Sequence, residues 1–160
     1  MASSKTERFS VVRFEPSHVD ALTESRNGDQ RNSGLSWSEG DARIMANMGY
    51  SFTGVCGSRI VGCAGVMPVW HGRAIAWGLM DLSMSRIEML AMHRGVLNFL
   101  VEIQRDARFR RVEASVKVGW PEAERWIAML GFVREGKMRC YDLHGKDHWL
   151  FARVREPVHE

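Results

Sequence analysis

Hydrophobic residues between Ser85 and Gly131 follow two different periods, which predict a helix, a strand and a second helix. Within 90–108, apolar side chains recur every three or four positions, as on the buried face of a long helix. Within 112–118 they alternate with polar residues, which is typical of a strand covered on one face. Pro121 then suits the first turn of another helix, and Gly131 suits its left-handed end.

The segments on either side predict the rest of a mixed domain. Alternation at 9–14 predicts a first strand, and Ser17 and Ser38 are positioned to cap two helices, the second of which Gly49 ends. The polar loop 27–36 between these helices has the length of loops that often border a site. Five further strands are predicted, three in an antiparallel meander and two at the end of the chain: Ser51–Cys56, Arg59–Met67, Arg73–Met80, Phe132–Tyr141 and His148–Arg155.

The composition is that of a soluble globular protein, and we expect one domain over 1–160 with residues 1–8 frayed. The hydrophobic share is 45% and the charged share 26%. Three cysteines cannot pair completely, which favours a reducing cytoplasm. No apolar run approaches the roughly 20 residues that span a bilayer. His144 and His148 have the spacing of zinc ligands on a helix, but Gly145 disfavours a helix there, so no metal site is expected.

The charge pattern leaves two interpretations open. The chain carries a formal charge of +3, with arginines concentrated at 105–111 and basic residues at 134–139. Such a surface either contacts phosphate, on a cofactor or a nucleic acid, or is the solvated end of a helix whose dipole favours cations. The six tryptophans do not alternate with basic residues in a repeated pattern, so a dedicated nucleic-acid module is not expected.

The predicted order of elements resembles that of the GNAT superfamily, the Gcn5-related N-acetyltransferases, over almost the whole chain. Residues 57–64 resemble the family's second hairpin and 110–116 its fifth strand. Ala123 and 129–132 resemble its last helix and the Gly-Phe that ends it. The resemblance implies an α+β (α/β) fold, with a central mixed, mostly antiparallel sheet of about seven strands and about four helices on both faces.

Three shorter segments, 70–73, 89–91 and 109–114, are similar to a tailed-phage branch of GNAT-like proteins. That branch includes small internal virion proteins of podophages. The resemblance implies a location in the host cytoplasm or in the virion. It implies a CoA-type small molecule or a host or virion protein as partner, no membrane, and a homodimer as one possible assembly.

In the superfamily, acetyl-CoA lies where the fourth and fifth strands splay apart, and its pyrophosphate rests on a glycine-rich turn that opens the long helix. The resemblance locates this cleft between 79–81 and 117–120, and the turn between Ser85 and Arg94. The cofactor-binding residues that it implies are Leu79, Met80, Ala91, Met92, His93, Arg94 and Trp120.

The chain departs from the family pattern at the positions that carry the chemistry. The Arg/Gln-x-x-Gly-x-Gly/Ala motif of the phosphate turn falls on Glu88, Ala91 and His93, so its glycines are absent. In the last helix, Trp120 stands at the family's asparagine. Ile127 stands at the tyrosine that protonates the departing thiolate in many members.

Direct acetyl transfer needs a base for the amine and a proton for the leaving sulfur. Asp81 is the candidate base, although an aspartate after a strand is also a common turn residue. Tyr141 or His93 is the candidate acid, although a helix histidine beside an apolar stripe is commonly only packed. Gly78 predicts either a β-bulge, where a ligand approaches the backbone, or a packing accommodation beside Trp77.

Two functions remain open at this point. The scaffold favours an acetyl-CoA-dependent N-acyltransferase that acts on an amine of a small molecule or protein. The unusual residues at the chemical positions favour a non-catalytic GNAT-like phage protein, such as an internal virion component or a host-factor binder.

Overall fold

The computed structural model describes residues 8–25, 39–105 and 109–155. These residues form seven strands and four helices. In chain order they are β1 (Phe9–Arg13), α1 (Ser17–Ser25), α2 (Glu39–Met48), β2 (Ser51–Cys56), β3 (Arg59–Trp70), β4 (Gly72–Met80), α3 (Arg86–Arg105), β5 (Phe109–Lys117), α4 (Pro121–Met129), β6 (Val133–Met138) and β7 (His148–Val154). The predicted loop 27–36 and the predicted cap Ser38 lie outside the described residues.

The seven strands form one sheet in the order β1-β2-β3-β4-β5-β7-β6. Neighbouring strands are antiparallel except for β4 and β5, which are parallel. A parallel pair needs a crossover connection, and α3 supplies it. The α+β, mixed and mostly antiparallel fold predicted from the sequence is therefore confirmed.

The helices cover both faces of the sheet. α1 and α2 pack on β2, β3 and β4 around a small apolar cluster that includes Leu22, Trp77 and Leu79. α3 and α4 pack on the other face, where the larger core includes Met92 and Val112. Side chains of β5 alternate between these faces, as the two-residue period of 112–118 predicts.

α3 approaches the sheet closely because two strand residues beneath it lack side chains. A Cβ on Gly54 would lie 2.7 Å from Met92 Sδ, and a Cβ on Gly62 would lie 3.0 Å from Met92 Cε. Met92 is 1% exposed, so it fills the space that the two glycines leave. This contact fixes the position of the long helix over β2 and β3.

The structure decides between the two alternatives left open for Gly78. The register between β3 and β4 runs without a shift from Gly62↔Met80 to Pro68↔Ala74, so there is no β-bulge at Gly78 in this ladder. A Cβ on Gly78 would meet only the end of the Met80 side chain, at 3.2 Å, and the Cys63 carbonyl oxygen at 3.7 Å. Gly78 is accommodated in an ordinary antiparallel ladder.

A buried carboxylate joins β4 to β5 where their pairing ends. Glu113 is 8% exposed and accepts hydrogen bonds from Arg73 Nε at 2.9 Å and Nη2 at 2.7 Å, and from Arg111 Nε at 2.6 Å. The Arg73 hydrogen bonds, opposed by burial and assisted by Arg111, lower the pKa of Glu113 to about 2. Arg111 also binds Glu135 of β6. The cluster therefore links three strands on one face.

Glu113→Gln tests this link because it keeps the shape and removes the charge. We expect the free energy of unfolding at neutral pH to fall by about 2 kcal/mol, since two partly buried guanidinium groups lose an ionised partner. The lowered pKa contributes stability above the ordinary pKa of glutamate, and that stability is lost as the pH falls towards about 2. Urea denaturation should therefore show a difference between wild type and variant that narrows from about pH 5 downwards. A pH-independent difference would contradict this prediction.

Candidate functional site

The β4–β5 pair opens into a gap at its carboxyl end. Parallel pairing runs from Gly72↔Phe109 to Ile75↔Glu113 and then stops, although β4 continues to Met80 and β5 to Lys117. β4 remains paired with β3, and β5 remains paired with β7, so each strand keeps one hydrogen-bonded neighbour as the two diverge. We call this gap, between residues 76–80 and 114–117, the β4–β5 slot.

Three residues predicted to bind the cofactor beside the slot, Leu79, Met80 and Trp120, lie in different environments. Leu79 is 1% exposed in the core under α1 and α2, and half-buried Met80 packs against the core on the other face. Trp120 is half-buried at the N-cap of α4 and lines a pocket of about 220 Å³ with residues 117–119. Trp120 makes no side-chain cap hydrogen bond, since an indole N–H can only donate and the first turn of a helix needs acceptors.

The N-terminus of α3 is closed by its own side chains. Ser85 Oγ accepts a hydrogen bond from the Glu88 backbone N–H at 3.2 Å, and the Glu88 carboxylate accepts one from the Ser85 N–H at 2.8 Å. This is a reciprocal capping box, which satisfies two of the amide donors that a helix start leaves free. A carboxylate therefore occupies the place where these donors would attract an anion.

Arg59 joins Glu88 to Asp81. Its guanidinium donates to Asp81 Oδ2 at 2.7 Å and makes a second, short hydrogen bond to Glu88 Oε1. The Arg59 hydrogen bond, followed by that from the Ser85 N–H, lowers the pKa of Glu88, so its carboxylate is ionised at neutral pH. The cluster of Arg59, Asp81 and Glu88 carries one excess negative charge, and the exposed guanidinium of Arg86, the first residue of α3, balances it in the charge count at this end of the helix.

Asp81 is 5% exposed and accepts hydrogen bonds at both oxygens. Oδ1 accepts from the Ser83 N–H at 2.9 Å and from the Ser83 hydroxyl at 2.7 Å, while Oδ2 accepts from Arg59. Burial alone would raise the pKa of Asp81, but the Ser83 and Arg59 contacts outweigh it and lower the pKa. The geometry favours a structural role in the β4–α3 turn over the predicted role as base.

The start of α3 at Arg86 falls within the range Ser85 to Arg94 predicted for the phosphate turn, but before the residues predicted to bind the cofactor there. Helix α3 begins at Arg86, so Ala91, Met92, His93 and Arg94 lie in its second and third turns, where backbone N–H groups bond within the helix. Met92 is buried in the core, and Arg94 is exposed. His93 is partly buried, and its Nδ1 has no hydrogen-bond partner among the described residues.

Tyr141, the other candidate acid, lies in the turn between β6 and β7. Its side chain is half-exposed, and its ring centroid is 5.0 Å from that of His148. His148 is the register partner of Lys117, the last residue of β5. The sequence disfavours a zinc site at His144 and His148. The structure nevertheless places His148 beside Lys117, at the end of a strand that borders the slot.

Three of the clustered basic residues, Arg111, Arg134 and Lys137, are paired with carboxylates. Arg134 binds Glu124 of α4 at 2.8 Å and stacks over the Trp149 ring at 4.2 Å, and Lys137 lies 3.5 Å from Asp147. Together with the Arg111 pairs, these contacts favour a structural surface over a phosphate-binding one. A second pocket, of about 400 Å³, lies at the opposite end of β4 and β5 and is lined by 70–73, 110–111 and Glu113.

The described residues contain neither a metal-ligand cluster nor a membrane-spanning helix. Within residues 8–25, 39–105 and 109–155, no three His, Cys, Asp or Glu side chains are arranged so that they could hold a metal ion. In the same ranges, no helix is long and apolar enough to cross a membrane.

The residues present fit one half of an acyl-CoA better than the other. The β4–β5 slot offers unpaired strand edges to an extended thiol arm, as the family resemblance requires. The start of α3 offers the pyrophosphate an ionised Glu88 where free amide donors would be needed. The unpaired strand edges suit such an arm, whereas the start of α3, closed by Glu88, offers no free anion position.

No family model matches the sequence, and no curated protein matches it. In three dimensions the chain is similar to a GNAT-family acetyltransferase from Bacillus anthracis, with 16% identity, 94% of this chain and 96% of that chain covered, and a TM-score of 0.70. It is also similar to RimL, a ribosomal L7/L12 α-N-protein acetyltransferase in complex with coenzyme A, with 19% identity, 94% and 95% covered, and a TM-score of 0.72. Ard1 from Thermoplasma volcanium gives 12% identity, 93% and 99% covered, and a TM-score of 0.75. At these identities the similarity establishes the architecture, and the chain has the fold of the GNAT acetyltransferases.

Proposed function

We propose that the chain is an acetyl-CoA-dependent N-acyltransferase that acts on an amine of a small molecule or protein. The observation that carries the proposal is the divergence of β4 and β5 beyond Ile75↔Glu113. It leaves backbone groups of both strands free to bond the amide groups of a pantetheine arm. RimL, with a similar architecture, has been crystallised with coenzyme A, which supports the same ligand class here.

In this proposal the slot binds and orients the donor. Strand residues 76–80 and 114–117 flank the thiol arm, and the pocket at 117–120 lies beside the reacting end. Trp120 offers an apolar surface there that excludes water from the thioester. Positioning of this kind makes up a large part of the rate gain in reactions between two bound molecules.

A second candidate is favoured by the charge at the start of α3. There Glu88 and Asp81 surround Arg59, and no hydroxyl stands at Ile127 to protonate a thiolate. These features suit a non-catalytic GNAT-like phage protein, either an internal virion component or a binder of a host factor. Mass spectrometry of purified particles and a pull-down from host lysate test this candidate. Absence from particles together with absence of a stable partner would contradict it.

Glu88→Gln separates the two candidates at the level of binding. Glutamine preserves the capping box and removes the negative charge, so the helix start is kept while its repulsion of a pyrophosphate is relieved. We expect the affinity for CoA in isothermal titration to rise about tenfold over wild type, since a like charge near the phosphates costs on the order of 1 kcal/mol.

The matched control is Glu102→Gln, which removes one charge from an exposed position on the same helix and should leave the CoA affinity unchanged. Pantetheine, which carries no phosphate, should bind wild type and Glu88→Gln equally. If neither protein binds CoA at high micromolar concentration, the transferase proposal fails. Equal CoA affinity of wild type and Glu88→Gln would contradict the role assigned to Glu88 but not the transferase proposal.

Asp81→Asn tests the structural role of that carboxylate. If the amide oxygen faces Arg59, it still accepts a hydrogen bond but the ion pair is lost, and if the N–H₂ faces Arg59, the hydrogen bond is lost as well. We expect the free energy of unfolding to fall by about 2 kcal/mol, measured by urea denaturation, with Ser83→Ala as a milder variant that removes one hydroxyl. Unchanged stability accompanied by lost turnover would instead support Asp81 as the base.

A further inference from the structure

The turn between β6 and β7 contains a buried histidine–aspartate pair. His148 is 2% exposed, and its Nε2 lies 3.1 Å from Asp142 Oδ2. Asp142 Oδ1 accepts hydrogen bonds from the backbone N–H groups of His144 at 2.9 Å and Lys146 at 2.8 Å. The carboxylate is therefore held by the turn on one side and faces the imidazole on the other.

These contacts determine which imidazole nitrogen carries the proton. The hydrogen bond from the Lys146 N–H, opposed by desolvation and assisted by His148 and the His144 N–H, lowers the pKa of Asp142 to about 2. An ionised carboxylate only accepts hydrogen bonds, so Nε2 of His148 must be the donor. In the neutral ring, Nδ1 then bears a free lone pair.

His148 Nδ1 is buried and has no hydrogen-bond partner among the described residues. A buried acceptor without a donor costs free energy, and a bound molecule that donates to it removes that cost. A ligand that brings an N–H group to Nδ1 would satisfy it. The half-exposed ring of Tyr141 lies beside the His148 ring, with the centroids 5.0 Å apart and the planes tilted by 52°.

The pair lies at the end of the β4–β5 slot. His148 is the register partner of Lys117, and the Val118 N–H donates to the Asp147 carbonyl at 3.0 Å, so the turn is joined directly to the pocket at 117–120. Opposite residues of an antiparallel pair point to the same face, so His148 and Lys117 share one face of the sheet. Asp142, Tyr141 and Lys117 are the charged or titratable groups that these contacts bring to the ring.

The turn also contains a strained residue. Cys140 has φ of +49°, the one positive value on a non-glycine residue in the described part of the chain. Its N–H donates to Asp147 Oδ1 at 3.0 Å, and the neighbouring Tyr141 N–H donates to the Lys146 carbonyl at 2.9 Å. Backbone strain held in place by several hydrogen bonds is more frequent at functional sites than elsewhere.

We propose that His148, oriented by Asp142, is the general base of the acyl transfer. This rests on the proposed function, because it requires an acceptor amine at the 117–120 pocket. The amine nitrogen bonds to the thioester carbonyl carbon as the carbon–sulfur bond breaks, the proton lost by nitrogen passes to His148 Nδ1, and it returns through solvent to the thiolate. Asp142 stays ionised and stabilises the protonated ring, as in other carboxylate–histidine pairs.

His148→Gln and Asp142→Asn test the assignment, with His144→Gln as the matched control because His144 is an exposed histidine in the same turn. Acetyl transfer is measured as CoA release with a lysine peptide, a peptide with a free N-terminus and spermidine as acceptors. We expect kcat of His148→Gln to fall about 10²-fold or more, with unchanged CoA affinity and loss of the acidic limb of the pH–rate profile. His144→Gln should retain the wild-type profile.

A second measurement does not depend on turnover or on the folding of a variant. Long-range ¹H–¹⁵N NMR spectra of the wild-type protein should show neutral His148 protonated at Nε2. A proton on Nδ1 would overturn the assignment, as would an unaltered kcat in a folded His148→Gln protein whose wild type is active. Absence of acyl transfer by wild type with every acceptor would overturn the proposed function, and the base with it.

Discussion

The pairing between β4 and β5 ends at Ile75 and Glu113, and the position of the candidate site depends on that end point. Glu113 holds Arg73 of β4 and Arg111 of β5 within hydrogen-bonding distance just before the strands separate. A salt-bridged cluster at this point closes the sheet below the slot, while β3 and β7 hold the diverging halves from outside. Beyond this point each strand therefore keeps its backbone hydrogen bonds on the outer side only.

The β4–β5 slot and the start of α3 present two different kinds of surface. Along the slot, the strands present unpaired backbone groups, to which a neutral arm can bond. At the start of α3, Ser85 and Glu88 satisfy each other, and Arg59 holds Glu88 in place through a second carboxylate, Asp81. The fold of the acetyltransferases is thus combined with a helix start that supplies its own anion.

The element order could be predicted because its signals are local: the period of 90–108, the alternation of 112–118 and the turn glycine Gly131, which has φ of +88°. The apolar period and the family resemblance place the start of α3 no more closely than between Ser85 and Arg94, and the structure begins it at Arg86. The Ser85-x-x-Glu88 capping box was a local signal and would have located it. The pairs Arg73–Glu113 and His148–Asp142 could not be predicted, since they depend on strand register and on the path of a turn.

Binding of a donor along β4 and β5 and binding of its phosphates at the start of α3 differ in how they depend on charge. An arm that lies along β4 and β5 loses water but gains backbone hydrogen bonds, and neither change depends on charge. A polyphosphate at the start of α3 must compete with Glu88 for amide donors and with Asp81 for Arg59. Each exchange replaces one anion by another, so the net gain there is small. In the proposed acyl transfer, the donor would therefore obtain most of its binding free energy along the strands rather than at the helix terminus.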